Sequence, residues 1–481
     1  ITASRAAVTI YEGAKDSVTH PGTQLKYSKS KQQLKLAREE GLYKTTPYSD
    51  SYHQLDIRTE ALTWNLRELT IDFAVLSSKN QQTADFESKE FFTNNRYQQL
   101  KSINRLHPLQ MLVGYSQAHE NIKTLNVSTL ATDLKTSEPN MRSAMSGLAR
   151  DGYVQWNSQT GEVTILPKGA HYVAAARDRK DYDHIAIKSL SGTGRNATLN
   201  LNTNELLVRG VDRFNFSDDS ATVFVRPDSA IIRIQKNRNI KFRGTVVASV
   251  MRFKGREFTF DYDGFYVDMA KIDSIVVRSQ TKQTGKGAPK RAEFALTNKG
   301  IVSTGRLYLN DPKNKSGRKK KGQYPSFDSK SGGNVYFGKQ DVLGGAYDST
   351  LVFDIPPFKL DSLNSLSKSA TGFDGTFRSG GIIPDLKTKL TVQSDGSLGF
   401  VYDVPKDGFP LYKGKGRVFD KVMLDSRGLQ SAGIITYQTG TFMSDDFVFY
   451  RDSVVTVGRT GNIAAKKEAG IDIPKMNLPS G

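Results

Sequence analysis

The amino-acid sequence predicts a mainly β protein, with several modules of short-strand sheets (stacked hairpin or sandwich-like) and one inserted α+β segment. Three observations support this class. The 481-residue chain holds 41 Gly, 25 Phe and 20 Tyr, and aromatic residues between tight turns favour strands. Apolar and polar residues alternate along most of the chain. Only residues 105–175 show helical periodicity instead.

Composition and periodicity divide the chain into five predicted segments. These are an N-terminal β-hairpin module (1–90), a helical insert (91–180), a central β module (181–280), basic Gly/Lys-rich loops with edge strands (281–334), and a C-terminal β module with a tail (335–481).

Short alternating stretches on either side of polar tips predict hairpins within the β modules. The pattern at residues 25–36 recurs at 199–208 and again at 390–400. Such recurrence indicates stacked or repeated β units. Similar hairpins also arise by chance in an all-β chain, so the sequence leaves both readings open.

The insert shows the signals of three helices followed by a hairpin. Ser137 precedes Glu138 and Pro139, which is a strong signal for the start of a helix. Gly152 ends that helix, and residues 153–165 read as two short strands around a turn.

This order of elements resembles the winged helix-turn-helix module, and Leu-Ala-Arg-Asp-Gly-Tyr-Val at 148–154 resembles a recognition helix running into its wing. The resemblance implies that the helix at 138–150 would read DNA bases in a major groove. The alternative is a packing or protein-contact module, because acidic residues offset much of its positive charge. The candidate nucleic-acid-binding residues are Lys135, Asn140, Arg142, Arg150 and Lys168.

The formal net charge of +19, from 68 Lys and Arg against 49 Asp and Glu, predicts an anionic neighbour such as nucleic acid, lipopolysaccharide or an acidic polysaccharide. The densest basic run, residues 313–321, is the predicted site for a phosphate-rich polymer or an anionic lipid. The alternative reading is a solvated loop that discourages edge-to-edge strand pairing. The candidate residues are Lys313, Lys315, Arg318, Lys319, Lys320 and Lys321.

The sequence contains no recognisable catalytic or metal-binding motif. It has no Cys and six His, and none of these His is spaced with another ligand as a metal motif requires. We therefore expect no enzyme activity, no metal and no cofactor. Asp261, Asp263 and Asp268 near Tyr262 and Tyr266 suggest a carbohydrate-binding or carbohydrate-active protein as an alternative, although ordinary half-buried strands show the same pattern.

Two further resemblances concern the β modules. Residues 22–27 with 34–36 resemble the short-hairpin repeats of lipopolysaccharide-transport β proteins. Residues 378–382, 428–433 and 444–447 resemble stretches of very large β-rich envelope proteins of Bacteroidetes-type bacteria.

These resemblances imply a non-enzymatic scaffold or assembly component of a bacterial cell envelope, in the periplasm or associated with the outer membrane. Its partners would be other envelope proteins or further domains of the same polypeptide, with an anionic polysaccharide or lipid as a second class of partner. The chain begins with Ile1, so we expect it to be one part of a longer polypeptide. A chain without Cys also suits the cytoplasm, and nucleic acid is a partner only in the DNA-binding alternative.

Overall fold

The computed structural model confirms the mainly β class, with 51% strand, 14% helix and large antiparallel sheets. Two compact units make up the chain: unit 1 is Ile1–Val247, Gly255–Met269 and Leu307–Tyr324, and unit 2 is Ala248–Lys254, Ala270–Arg306 and Pro325–Gly481. The structure describes all residues except 40, 77–82, 102–106, 192–193, 218–222, 281–290, 297–302, 339–341, 365–371, 459, 464–465, 469–470, 474–475 and 479–481. Part of the predicted basic segment 281–334 thus lies outside the described residues.

Unit 1 begins with antiparallel strands that form two series of hydrogen-bonded neighbours, and one strand belongs to both series. The strands are β1 (Thr2–Glu12), β2 (Asp16–Ser28), β3 (Gln33–Arg38), β4 (Tyr48–Asp50), β5 (Leu55–Arg58), β6 (Ala61–Asn65), β7 (Thr70–Ala74) and β8 (Ala84–Ser88). One series is β1–β2–β3–β6–β7, and the other is β2–β4–β5–β8. The predicted first hairpin is confirmed, with Leu25 opposite Leu36.

A helical segment follows β8. Its elements are α1 (Asn94–Gln99), α2 (Pro108–Ala118), β9 (Thr124–Asn126), α3 (Val127–Asp133), α4 (Glu138–Arg150), β10 (Val154–Asn157), β11 (Glu162–Ile165) and α5 (Pro167–Ala176). Helix α4 begins directly after Ser137, as predicted, and its apolar face buries Met141, Met145 and Leu148. The predicted helices and hairpin are present, whereas α1, β9 and α5 were not expected.

The helical segment is inserted between two strands that pair with each other. Strand β8 pairs with β12 (Ala186–Ser189), which follows the segment, and Phe86 lies opposite Ile187. Tyr43 Oη in the β region donates a hydrogen bond to Trp156 O at 3.1 Å. The chain continues with β12 (Ala186–Ser189), β13 (Ala197–Asn200), β14 (Glu205–Arg209), β15 (Phe214–Asn215), β16 (Val223–Ile234), a 3₁₀ turn (Lys236–Arg238), β17 (Ile240–Ala248), β18 (Met251–Asp261) and β19 (Tyr266–Gln280). The second predicted hairpin is β13–β14, with Leu199 opposite Leu206.

A long antiparallel sheet lies in unit 2. The remaining elements of the chain are β20 (Arg291–Leu296), β21 (Ser303–Tyr308), β22 (Ser326–Ser329), β23 (Gly333–Tyr336), a 3₁₀ turn (Leu343–Gly345), β24 (Leu351–Ile355), β25 (Phe358–Leu360), β26 (Gly372–Ser379), β27 (Leu386–Val392), β28 (Leu398–Asp403), β29 (Phe409–Leu411), a 3₁₀ turn (Tyr412–Gly414), β30 (Gly416–Asp425), β31 (Gly428–Tyr437), β32 (Gly440–Phe449), β33 (Val454–Thr456), β34 (Thr460–Ile463), β35 (Lys466–Glu468), β36 (Ile471–Ile473) and β37 (Met476–Leu478). The strand order of the long sheet is β23-β24-β26-β27-β28-β30-β31-β32-β34-β37. The third predicted hairpin is β27–β28, with Val392 opposite Leu398. In the described part of the chain, no helix has the length and apolar character needed to cross a membrane.

Candidate anion-binding surface

Residues 313–321, the basic loop, have a defined conformation in unit 1 that is organised by one buried side chain. The Asn314 side chain donates a hydrogen bond to Lys319 O at 2.7 Å and accepts one from Lys319 N at 3.0 Å. It therefore pairs with the Lys319 backbone much as another peptide group would. Because this buried amide is satisfied on both sides, the loop is held in one shape.

The basic loop is fastened to the segment that follows α5. Asp181 accepts hydrogen bonds from Lys315 N at 2.6 Å and from Ser316 Oγ at 2.5 Å. The Arg318 guanidinium pairs with Asp178 and donates to Ala175 O at 3.2 Å, near the end of α5. A cation suits this position because the last carbonyls of a helix carry partial negative charge. Two segments distant in sequence thus form one surface.

Three of the six predicted anion-binding residues already have partners within the protein. Lys321 Nζ lies 2.6 Å from Asp311 Oδ2, and Arg318 pairs with Asp178. Lys315 Nζ donates to Pro312 O at 3.0 Å and lies 4.7 Å from the centre of the Tyr262 ring. These contacts fix the loop and use part of its charge.

The other three predicted residues carry the available charge. Lys313, Lys319 and Lys320 are exposed, and no described residue forms an ion pair with their ammonium groups. The neighbouring Arg179, two residues before Asp181, is exposed as well. This group of cations on an anchored loop is what an extended anion would meet.

The candidate nucleic-acid-binding residues differ in how far they are exposed to solvent. Asn140 and Arg150 on α4 and Lys135 after α3 are exposed. Arg142 instead turns back, because its Nε donates to Glu138 at 2.8 Å and its Nη1 donates to Ser158 O at 3.2 Å in the hairpin turn. Arg142 therefore ties the helix to the hairpin.

Lys168 lies in the protein interior, where it could not make the predicted contact with a DNA phosphate. It is only 9% exposed, and its Nζ lies 2.9 Å from Asp56 Oδ2 and 3.7 Å from Glu87 Oε1. Burial alone would raise the pKa of Glu87, but the surrounding cations Lys168, Arg58 and Arg96 lower it to about 2. A buried ammonium needs such carboxylate partners, so Lys168 belongs to an internal ion cluster.

Two residues of the carbohydrate alternative, Tyr262 and Asp261, have structural roles. Tyr262 is buried, and its hydroxyl lies 2.8 Å from Asp183 Oδ2 and 2.9 Å from Glu90 Oε2. Asp261 accepts a hydrogen bond from Gly264 N at 2.6 Å in the turn after β18. A buried ring cannot stack on a sugar, so this arrangement gives no support to a carbohydrate site.

Sequence reasoning missed a partly open cavity of about 440 Å³ in unit 1. Lys168 and Lys180 on its lining have carboxylate partners, Asp56 and Glu90. Burial lowers the pKa of a third lysine, Lys89, which also lines the cavity. No local sequence signal could reveal this cavity, because its walls come from β1, β2, β10 and α5.

Charge density alone located the basic loop in the sequence. Its anchor was not detectable, because Asp181 lies more than 130 residues before Lys315 and carries no local motif.

Comparison of the chain with protein-family models, curated proteins and solved structures finds no match.

Proposed function

We propose that the chain is a non-enzymatic scaffold component of a bacterial cell envelope that holds a phosphate-rich anionic polymer on its basic loop. The observation that carries this proposal is the group Lys313, Lys319 and Lys320, exposed and without ion-pair partners among the described residues, on a loop anchored by Asp181.

The physical reason lies in how polyanions bind. A phosphate polymer surrounds itself with condensed counterions, and each lysine that replaces one of them adds favourable entropy. Binding also costs the ordering of loops and side chains. Because the Asn314 and Asp181 contacts already order the basic loop, less of that cost is left for the binding step.

The scaffold role rests on the large antiparallel sheets and on apolar exposure in unit 2. Ile434 on β31 and Met443 on β32 lie directly opposite each other and are exposed. Such a patch suits a contact with another envelope protein or with a further domain of the same polypeptide.

The test compares two variants with the same change in net charge. In the loop variant, Lys313, Lys319 and Lys320 are changed to Ala. In the control variant, the exposed residues Lys29, Lys31 and Lys35 of the β2–β3 hairpin in the same unit are changed to Ala. Fluorescence anisotropy with labelled long-chain polyphosphate then measures the affinity.

We expect the loop variant to bind polyphosphate at least about tenfold more weakly, and the control variant to lose less than about threefold. Equal losses in the two variants would overturn the proposal, because they would show that net charge alone attracts the polymer. Vesicles containing anionic phospholipid form a second arm. If they bind more tightly than polyphosphate, with the same dependence on the loop lysines, the loop recognises a lipid headgroup instead.

The helical segment supports a second candidate, DNA binding by a winged-helix-like module. The supporting observation is that α4, which packs against β10, exposes Asn140, Ser143 and Arg150 on one side. In this reading Asn140 would contact bases and Arg150 a phosphate.

Retardation of duplex DNA at low salt tests this candidate. We expect Asn140→Ala and Arg150→Ala each to weaken retardation several-fold, while the loop variant leaves it nearly unchanged. If the loop variant abolishes retardation and the two α4 substitutions do not, DNA acts only as one more polyanion on the basic loop.

A further inference from the structure

Strand pairing in unit 1 brings together three ionisable residues that the sequence keeps apart. Glu12 ends β1, Asp50 ends β4, and His53 lies in the turn after β4. Strand β2 pairs with both β1 and β4, so that Val18 lies opposite Ile10 on one side and Asp50 on the other. Glu12, two residues after Ile10, points to the same face of the sheet.

The three side chains present their ligand atoms to one another inside the protein. One carboxylate oxygen from Glu12, one from Asp50 and one ring nitrogen from His53 all lie within 4.8 Å of each other. All three residues are buried, and His53 Nδ1 lies 2.7 Å from Asp50 Oδ2.

Two of the ligands are held in place by their other polar atoms. His53 Nε2 lies 3.0 Å from Asn204 O, to which it donates its proton. Asp50 Oδ1 accepts a hydrogen bond from His53 N at 2.9 Å. Metal-binding histidines commonly donate their second ring N–H to a backbone carbonyl, which orients the first nitrogen toward the metal. Because Nε2 is engaged with Asn204 O, Nδ1 is the ring nitrogen that remains for the cluster, and it lies 2.7 Å from Asp50 Oδ2.

Glu12 is the feature that points to a missing ligand. It is only 6% exposed, and neither of its carboxylate oxygens has a hydrogen-bond partner among the described residues. A buried carboxylate without a donor is costly. Since two more ligand atoms lie within reach of it, a cation would satisfy both oxygens at once.

We propose that Glu12, Asp50 and His53 form a binding site for a divalent transition-metal ion of the Zn²⁺ type. Two carboxylates balance the charge of such an ion when the imidazole is neutral. The imidazole favours Zn²⁺ over Mg²⁺ and Ca²⁺, which prefer oxygen ligands. With both Glu12 oxygens engaged, the three side chains supply four donor atoms, the usual number for Zn²⁺.

The metal-free site holds protons that the ion would displace. Burial and the charge of Asp50 raise the pKa of Glu12 to about 7. Burial alone would lower the pKa of His53, but Asp50 raises it. The His53 ring lies between Asn204 O and Asp50 Oδ2, at 3.0 Å and 2.7 Å. The other charged groups that act on this cluster are Asp16 and Lys89.

Calorimetric titration of the full, EDTA-treated chain with Zn²⁺ at pH 6 tests the proposal. Two buffers with different ionisation enthalpies give the number of protons released. We expect one ion per chain, release of protons from the ligands, and a higher melting temperature. Mg²⁺ at the same concentration should bind far more weakly.

Glu12→Gln is the matched variant, because glutamine has the size and neutrality of the protonated glutamate and should leave the fold intact. We expect it to weaken Zn²⁺ binding by about 100-fold or more. His119→Gln is the control, because His119 is exposed and stacks on Tyr115.

Two outcomes would overturn the proposal. In the first, Zn²⁺ neither binds nor raises the melting temperature. In the second, binding survives Glu12→Gln; a loss of binding in His119→Gln would then place the ion on the surface. X-ray absorption of the Zn²⁺-loaded wild-type chain gives a check without mutation: we expect one nitrogen ligand among oxygen ligands, and a shell without nitrogen would contradict the assignment.

Discussion

Asp181 accepts a hydrogen bond from the backbone N–H of Lys315 at 2.6 Å across 134 positions of sequence. This contact decides where the exposed lysines of the basic loop lie, because it fixes the loop against the end of α5. The basic loop is therefore a positioned group of charges rather than a freely moving basic tail.

Replacing Asp181 should release the loop. In Asp181→Ala, the backbone amides of Lys315 and Ser316 lose their acceptor, and we expect their hydrogen exchange to accelerate by about tenfold, since a hydrogen bond to a charged group contributes about 1.5–3 kcal/mol. Polyphosphate affinity should fall even though the substitution makes the protein more positive.

The control for this prediction is Asp133→Ala, which makes the same change in charge at a carboxylate that accepts a hydrogen bond from Tyr115 Oη. An unchanged exchange rate at Lys315 in Asp181→Ala would show that the loop holds its shape without the anchor.

Lys168 should prove essential for stability and irrelevant for anion binding. Lys168→Met leaves Asp56 and Glu87 without their buried ammonium partner, and breaking such a buried ion cluster costs about 3 kcal/mol. Urea unfolding followed by tryptophan fluorescence measures this loss in unit 1, because Trp64 and Trp156 are the two tryptophans of the chain and both lie there.

The exposed Lys135→Met serves as the comparison, with an expected loss within about 0.5 kcal/mol. If Lys168→Met left stability unchanged but weakened polyanion binding, Lys168 would have to contact the ligand.

Much of the secondary structure could be predicted because its signals are local. Helix α4 was predicted with its observed bounds. Its signals are the apolar spacing of Met141, Met145 and Leu148 and the start after Ser137. Alternation around a polar tip gives the hairpin that pairs Leu25 with Leu36. Helix α5 was missed, because Gly169 weakens its helical pattern and burial against neighbouring elements compensates.

The sites could be predicted only where charge is concentrated in sequence. The basic loop has that property, whereas the Glu12, Asp50 and His53 cluster does not. No ligand motif joins Glu12 to His53, because the register of β1, β2 and β4 brings them together. The sequence therefore predicted no metal site, and the three-residue cluster emerges only from strand pairing.

The pKa of Glu12 predicts how unit 1 responds to pH without metal. Because the folded protein raises this pKa to about 7, its protonated form stabilises the fold at low pH. This stabilisation is complete below the unfolded value near 4.5 and is lost as the pH rises through about 7. We expect the titration of Glu12 to lower the free energy of unfolding in EDTA by about 3 kcal/mol over this range.

Glu12→Gln should remove most of that fall, which urea titrations at several pH values can measure by tryptophan fluorescence. Parallel pH curves for the wild-type chain and Glu12→Gln would refute the assignment of this titration to Glu12.

The salt dependence of polyphosphate affinity tests the central claim, polymer binding at the basic loop, most directly. The wild-type chain, the loop variant and the β2–β3 control variant are compared in double-logarithmic plots of affinity against salt concentration. Each lysine that contacts a phosphate contributes about 0.7–0.9 to the slope, so we predict that the loop variant loses about 2 from its slope and the control variant almost nothing. Equal slopes for the two variants would contradict the account.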